Sequence, residues 1–459
     1  MSRRNAPDRT IPIITLAVLL QTPEGLPLER GPASCRYWAD NQNEAGGNMA
    51  RIAVNAHNAA SPITRRATIG AGLAAMAVPT VLRHPRGETP IRIGMPLALT
   101  GPAAEIGTQM RHGAEFWAKL INAKGGLIGR PIELHVEDTT GDPATCVRKA
   151  QLVVERDDCH LLFGMVLSSE ALAVVPKLAE WNAIFMSSDN GDGRLTGSSF
   201  VPNFFRANIS GPMETRAISL WLRKAEFRNF YALGMDYAWG HNSVDVFSDE
   251  VKKAKKHLIG AVFSPIGTKD FSTYITKIRQ SGADACFLVL QGDDNNAFLS
   301  QAHEYRLGDK VQLITSIVDL NSIHAVGDAA LGLAGSTRYV FTIDTPANKA
   351  FVDAWKQAYG AAPDVFEGEQ YQACQMLQAG IEQAKSIDAD KLRPALETAV
   401  IDSIKGHVAM RACDHQAVQG GYIVKVGKTA GETTPTPQII ATFPGDDITP
   451  ACRQMTFED

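Results

Sequence analysis

From Ile91 onward the sequence alternates short apolar runs with amphipathic stretches, and this rhythm limits the possible folds more than any other feature. Residues 91–99 (IRIGMPLAL) read as a strand, TGPAAEIG as a turn, and 108–123 as a helix stopped by Gly125-Gly126. A strand at 131–137 leads to a helix at 143–156, with Asp142 as its N-cap and Pro143 in first position. Strands at 159–165 and 183–187 then flank a helix at 169–181. Strands separated by helices cannot pair as tight hairpins; they predict a parallel sheet covered on both faces.

The rhythm then restarts. Helices at 214–224, 243–256, 271–280 and 295–305 alternate with strands at 229–234, 260–263, 285–290 and 312–317. A strand at 335–341 and helices at 347–359 and 368–384 follow. Two similar halves in tandem predict two doubly wound α/β lobes with a cleft between them. The length, 459 residues, also exceeds what one core readily serves. After Val400 the style changes: VAMRACDHQAVQGGYIVKV reads as paired strands turned at Gly420-Gly421, and 427–437 as a polar loop.

The first 90 residues differ from this body. They carry a formal charge of +4 against −8 for the rest, which suggests a targeting segment. Arg3, Arg4 and Arg9 precede an apolar stretch at 11–20, a short signal-type run, and residues 21–48 are too polar to form a domain. Met49 offers a second start. Beyond it Arg65-Arg66 precede a Gly/Ala-rich run at 69–82, the layout of a twin-arginine export signal. Thr68 stands where such signals usually carry Phe, and no clean A-x-A site follows Leu82. The expectation is a leader over 1–90, export to the periplasm by the twin-arginine route, and 1–48 as an extension ahead of the true start. The alternative for 69–82 is a first amphipathic helix of the fold.

Composition excludes several classes. With 45% hydrophobic and 20% charged residues the chain is not wholly disordered. No apolar run reaches the roughly 20 residues of a membrane span, and a net charge of −4 gives no footprint for nucleic acid. Enzyme templates fail: there is no GxGxxG after a strand, no GxxxxGK[ST], no GxSxG and no HExxH. His407 and His415 lack a third ligand at metal spacing, and Asp293-Asp294 reads as a solvated helix start or a carboxylate pair. The expectation is no catalytic residue, no metal and no cofactor. Of the cysteines, Cys35 lies in the leader and Cys286 in an apolar run. Cys146 and Cys159 stand roughly 20 Å apart if helix links them, too far to bridge. Cys413 and Cys452, on late loop-rich segments, are the best disulfide candidates of an exported chain and are expected to tie the C-terminal tail to the second lobe.

Six segments, in order, resemble the type I periplasmic solute-binding proteins of branched-chain amino acid ABC transporters, the leucine-binding protein family. They are the opening IRIGMPLALTGPAAEIGTQMRHGAEFWAKLINAKGGLIGRPIEL, then EDTTGDPATCVRKAQLVVERD, GMVLSSEA, GMDYAWG, GTKDFSTYITKIRQSGADACFLVLQGDD and MRACDHQAVQGGYIVKV. The match runs over about residues 91–445. The resemblance implies two lobes joined by three hinge crossings, lobe 1 being 91–207 plus 341–398 and lobe 2 being 208–340 plus 399–459. It implies a small ligand in the cleft, and the membrane permease and ATPase subunits of a transporter as partners. A ligand-sensing module of the same fold controlling a regulator is the alternative; an export leader speaks against it.

Backbone amides and hydroxyls at strand ends and helix starts suit a small carboxylate. Ser168 matches the family's carboxylate-binding serine, with Ser169 a looser match; Ser168 also reads as the cap of the helix it precedes. The turn Asp189-Asn190-Gly191 matches one that supplies a carbonyl and a Thr, and here Gly191 replaces the Thr. Asp189 reads either as a new charge in the site or as a solvated loop residue. Trp239 stands where the family often has Tyr, and Ile106 and Phe366 match side-chain-pocket positions; Phe366 also reads as plain core. Ser316 lies at the strand end where amino-acid binders present a Glu for the ammonium. No Glu occurs there, and only Asp189 or Asp319 could substitute. The expected ligand is therefore a small hydrophobic or aromatic carboxylate, with leucine-like amino acids next.

Overall fold

The structure, a computed structural model, describes residues 89–428 and 433–457, so the leader readings lie outside the described residues. The alternating rhythm produces two sheets. The first holds β1 (Ile91–Leu97), β2 (Ile132–Asp138), β3 (Leu161–Leu162), β4 (Ile184–Ser187) and β5 (Phe204–Arg206). The second holds β6 (Asn229–Met235), β7 (His257–Ser264), β8 (Ala285–Val289), β9 (Gln312–Thr315) and β10 (Ala334–Thr337). β11 (Val400–Ser403), β12 (Gly406–Arg411) and β13 (Gln416–Val418) extend the first sheet; β14 (Gly421–Gly427) and β15 (Thr436–Phe443) extend the second.

The parallel parts repeat one order, β2-β1-β3-β4-β5 and β7-β6-β8-β9-β10. In such a sheet the order reverses beside the first strand, and the loops leaving there splay to opposite faces, opening a crevice at the carboxyl ends. The crevices lie between β1 and β3 and between β6 and β8. Central strands carry continuous apolar runs because helices cover both faces; β8 (ACFLV) is buried throughout.

Several local forms differ from the sequence reading. β3 shrinks to two residues because the chain leaves extended geometry at Gly164 (φ 98°) and Met165 (φ 57°). The helix after it runs only Ser168–Val174, with a 3-10 turn at Val175–Lys177 around Pro176. Asp142 does cap Pro143–Asp157, accepting from the Thr145 amide.

The larger correction concerns the tail. Gly420-Gly421 does not turn a hairpin. β13 pairs with β12 and β5, whereas β14 pairs with β10 and β15, so the chain changes sheet between them. The three crossings follow β5, β10 and β13, and residues 400–418, assigned to lobe 2 by resemblance, belong to the first sheet. A mixed edge explains this: β13 runs parallel to β5, which lets the tail close the first sheet before returning.

Cys413 lies in the turn between β12 and β13, joined to Cys452 by a disulfide with Cα atoms 6.1 Å apart. It therefore ties the tail to the first sheet, not to the second lobe. Cys146, Cys159, Cys286 and Cys374 are buried thiols.

Candidate functional site

The crevices face each other, and the loops and helix starts at their mouths meet. Ile106 lies in the first turn of the helix Ala104–Ala123 after β1, and is 2% exposed. Opposite it, Gly292 begins the helix Gly292–Glu304 after β8 with φ 58°. A Cβ at Gly292 would stand 2.9 Å from the Pro102 carbonyl oxygen and 4.0 Å from Ile106 Cδ1, so the lobes are closed on one another here.

Ser168 follows β3. Its hydroxyl accepts the amides of Gly191 and Asp192, each at 3.2 Å. The cap of its helix comes instead from Glu170, whose carboxylate accepts the Leu167 amide at 2.8 Å. With both acceptor positions used inside the lobe, the hydroxyl proton of Ser168 is left to donate. The Gly191 amide is already engaged, so the carboxylate-binding amides expected at this turn are not free. Ser169 is half-buried on the helix.

Asn190 turns away from the cleft. Its amide group donates to the Met165 carbonyl at 2.5 Å and its side-chain oxygen accepts from Ser187 at 2.9 Å. Gly191 faces Trp239, in the first turn of Ala238–Lys253 after β6. A Cβ at Gly191 would lie 2.5 Å from Trp239 Cδ1 and 2.6 Å from Nε1. Trp239 is 1% exposed and packs beside Tyr237 at 6.0 Å between ring centroids. The residue that the resemblance placed in the ligand pocket is thus also a buried core side chain.

Tyr237 accepts a hydrogen bond from Gln291 at 3.0 Å, linking the β6 and β8 mouths. Phe366 is buried in the helix Val365–Ala384. Just before it Asp364 accepts the Leu320 and Asn321 amides, each at 2.8 Å, and so caps the helix Leu320–Val326 of the second lobe. The Ser316 hydroxyl, after β9, is buried with no hydrogen-bond partner among the described residues. Ser168, Gly191 and Trp239 thus adjoin one another across the cleft, and Ile106 borders Gly292.

Asp189 is neither solvated nor free. It is 3% exposed and pairs with Arg338 at 2.7 Å, and its carbonyl oxygen accepts from the same guanidinium. Arg338 follows β10 on the second crossing and also pairs with Glu214 at 2.5 Å. Beside it the Lys405 ammonium binds the Glu369 carboxylate and the Arg338 carbonyl. Burial pushes the Asp189 carboxyl up to about 6 and that of Glu214 up to about 7, against the pull of Arg338. Asp319 is likewise committed: it caps Leu320–Val326, accepting the Ser322 amide at 2.6 Å. Arg338, Glu214, Lys405 and Glu369 were not singled out from sequence. Partners as far as 149 residues apart leave no motif.

Asp294 is buried and accepts the Gly267 amide at 3.0 Å, while Asp293 stays exposed, so the pair does not act as a dyad. His415 stacks on Phe205 at 4.0 Å.

Residues 90–432 match the periplasmic binding protein family. The chain belongs to that family. This binding protein is 26% identical over 337 residues to the Leu/Ile/Val-binding protein BraC3 of Rhizobium johnstonii, covering 71% of the chain and 88% of the relative. An ABC transporter substrate-binding protein from Sphaerobacter thermophilus matches with a TM-score of 0.71 and 27% identity, over 78% of this chain and 99% of that one. A solute-binding protein from Rhodopseudomonas palustris, solved with 3,4-dihydroxybenzoic acid, shares the fold at a TM-score of 0.73 and 22% identity, over 78% and 98% of the two chains. The family is one of two-lobed α/β solute-binding proteins, and this member is a binding protein rather than an enzyme.

Proposed function

We propose that the protein captures a small hydrophobic or aromatic carboxylate between its lobes and delivers it to the permease and ATPase of an ABC transporter. The observation that carries this reading is the Asp189–Arg338 pair. A zwitterion needs a counter-charge for its ammonium, because burying an unpaired charge costs several kcal/mol. Both the side chain and the carbonyl of Asp189 already serve Arg338, and Asp319 caps a helix. Ser168, Gly191, Trp239, Ile106, Phe366 and Ser316 are the residues assigned to the site. The relative solved with a dihydroxybenzoic acid agrees with an aromatic acid.

The second reading is a branched-chain amino acid, favoured by the Leu/Ile/Val-binding relative. Export to the periplasm is part of the proposal, with Arg65-Arg66 as the twin-arginine signal. Ranking leucine, valine, benzoate-type and phenylpropenoate-type acids by thermal shift decides between ligands, since a ligand of the folded state raises the midpoint by mass action. Micromolar leucine binding with no response to any aromatic acid would sink the first reading.

A further inference from the structure

Two hydrogen-bond donors without acceptors converge on Gly191. The first is Trp239 Nε1, buried and unpartnered among the described residues. The second is Arg338 Nη2. A guanidinium has five N–H donors. Here Nε serves Glu214, and Nη1 serves both the carbonyl and the carboxylate of Asp189. No hydrogen bond among the described residues uses Nη2. A Cβ placed on Gly191 would lie 2.6 Å from Trp239 Nε1 and 3.2 Å from Arg338 Nη2. Both groups reach this turn only because it carries no side chain. The Ser168 hydroxyl, with its proton still to give, binds the same turn through the Gly191 amide.

We infer that Arg338 and Trp239 hold the ligand's carboxylate, with Ser168 as the third donor. This rests on the carboxylate reading above and names the groups that answer it. An arginine is suited to the task because its charge persists when buried and its fork matches a carboxylate. Asp189 and Glu214 are then positioning residues. They fix the guanidinium from opposite lobes and leave one edge unspent. The arrangement also accounts for Gly191: a side chain there would displace the indole and the guanidinium, which replace the hydroxyl lost with the Thr.

The test compares acids with their neutral amides, benzoate against benzamide and leucine against leucinamide, by calorimetry on the wild type, R338K and W239F. W239F keeps an aromatic ring in the core but lacks the N–H. It keeps the test decisive if R338K, which disturbs two buried carboxylates, fails to fold. In the wild type the acid is expected to bind at least about 100-fold tighter than the amide, as for a charge-assisted contact made in a buried site. W239F should reduce that ratio several-fold, and folded R338K about tenfold or more, as a fork contact shrinks to a point charge. A purely structural role for either side chain would weaken acid and amide alike and leave the ratio unchanged. An unchanged ratio in W239F and in any folded R338K overturns this assignment and spares the carboxylate reading. If neither acid binds the wild type, that reading falls and takes this one with it.

Discussion

Gly191 and Trp239 meet across the cleft, one from each lobe, so closely that a methyl group on the glycine would stand 2.5 Å from the indole Cδ1. The two residues form one unit: the large ring is admitted because the opposing turn has no side chain.

Gly191→Ala should therefore hinder closure by about 1–3 kcal/mol, the usual range for overpacking. Its effect should largely vanish in a Trp239→Leu background. Ligand affinity measured over the full double-mutant cycle checks this; additive effects would separate the two residues. Trp239→Ala should cost stability as well as affinity, about 3–5 kcal/mol for loss of a buried Trp. Chemical denaturation reads that loss.

Lys405→Met strands the Glu369 carboxylate, both partners being about 1% exposed or less. Breaking a buried pair from one side commonly costs about 3–5 kcal/mol. The double variant Lys405→Met/Glu369→Gln should recover much of it. Urea melts of the three variants report the balance, and an equally unstable double variant would show that Lys405 matters chiefly through the Arg338 carbonyl.

Asp319 offers a pH test. Burial, and next the Asp364 charge, raise its carboxyl to about 7. A carboxyl raised above its unfolded value of about 3.9 binds more protons in the folded state. Its contribution is fully favourable below that value and is lost as pH rises toward 7. Asp319→Asn keeps a helix-capping oxygen but removes the charge. It should gain about 1–2 kcal/mol over the wild type at pH 8, a gain that fades toward pH 4. Melting curves across that range suffice, and a pH-independent difference would contradict the argument.

Replacing Cys413 and Cys452 with Ser should lower stability by about 2–4 kcal/mol, through a loop of sequence separation 39. Intact-mass analysis with alkylation establishes the bond first; two freely alkylated thiols would refute it.

The alternation of strands and helices was legible from sequence because buried parallel strands need continuous apolar runs, and β1, β6 and β8 have them. Ser168 was singled out by its place between a strand end and a helix start together with the family resemblance, and Trp239 by the resemblance alone. The charge cluster was not legible. Arg338 follows AGST and precedes YVF, and a lone charge between apolar residues is the only local sign of burial. Its partners, Asp189 and Glu214, lie in separate units of the rhythm. The third crossing, set at 398 by the resemblance, lies instead after β13, where QGGY carries the glycines of a hairpin turn and only pairing partners distinguish a turn from a change of sheet.

The Cys413–Cys452 bond closes a ring of chain that contains the third crossing. From just outside that ring Arg453 donates to the Cys413 carbonyl at 3.0 Å, and Arg411 to that of Pro450 at 2.9 Å. A single proteolytic nick anywhere between the two cysteines would therefore not release a fragment. The pieces would migrate as one species until a reductant was added, and the cut molecule would keep its hinge strands in register.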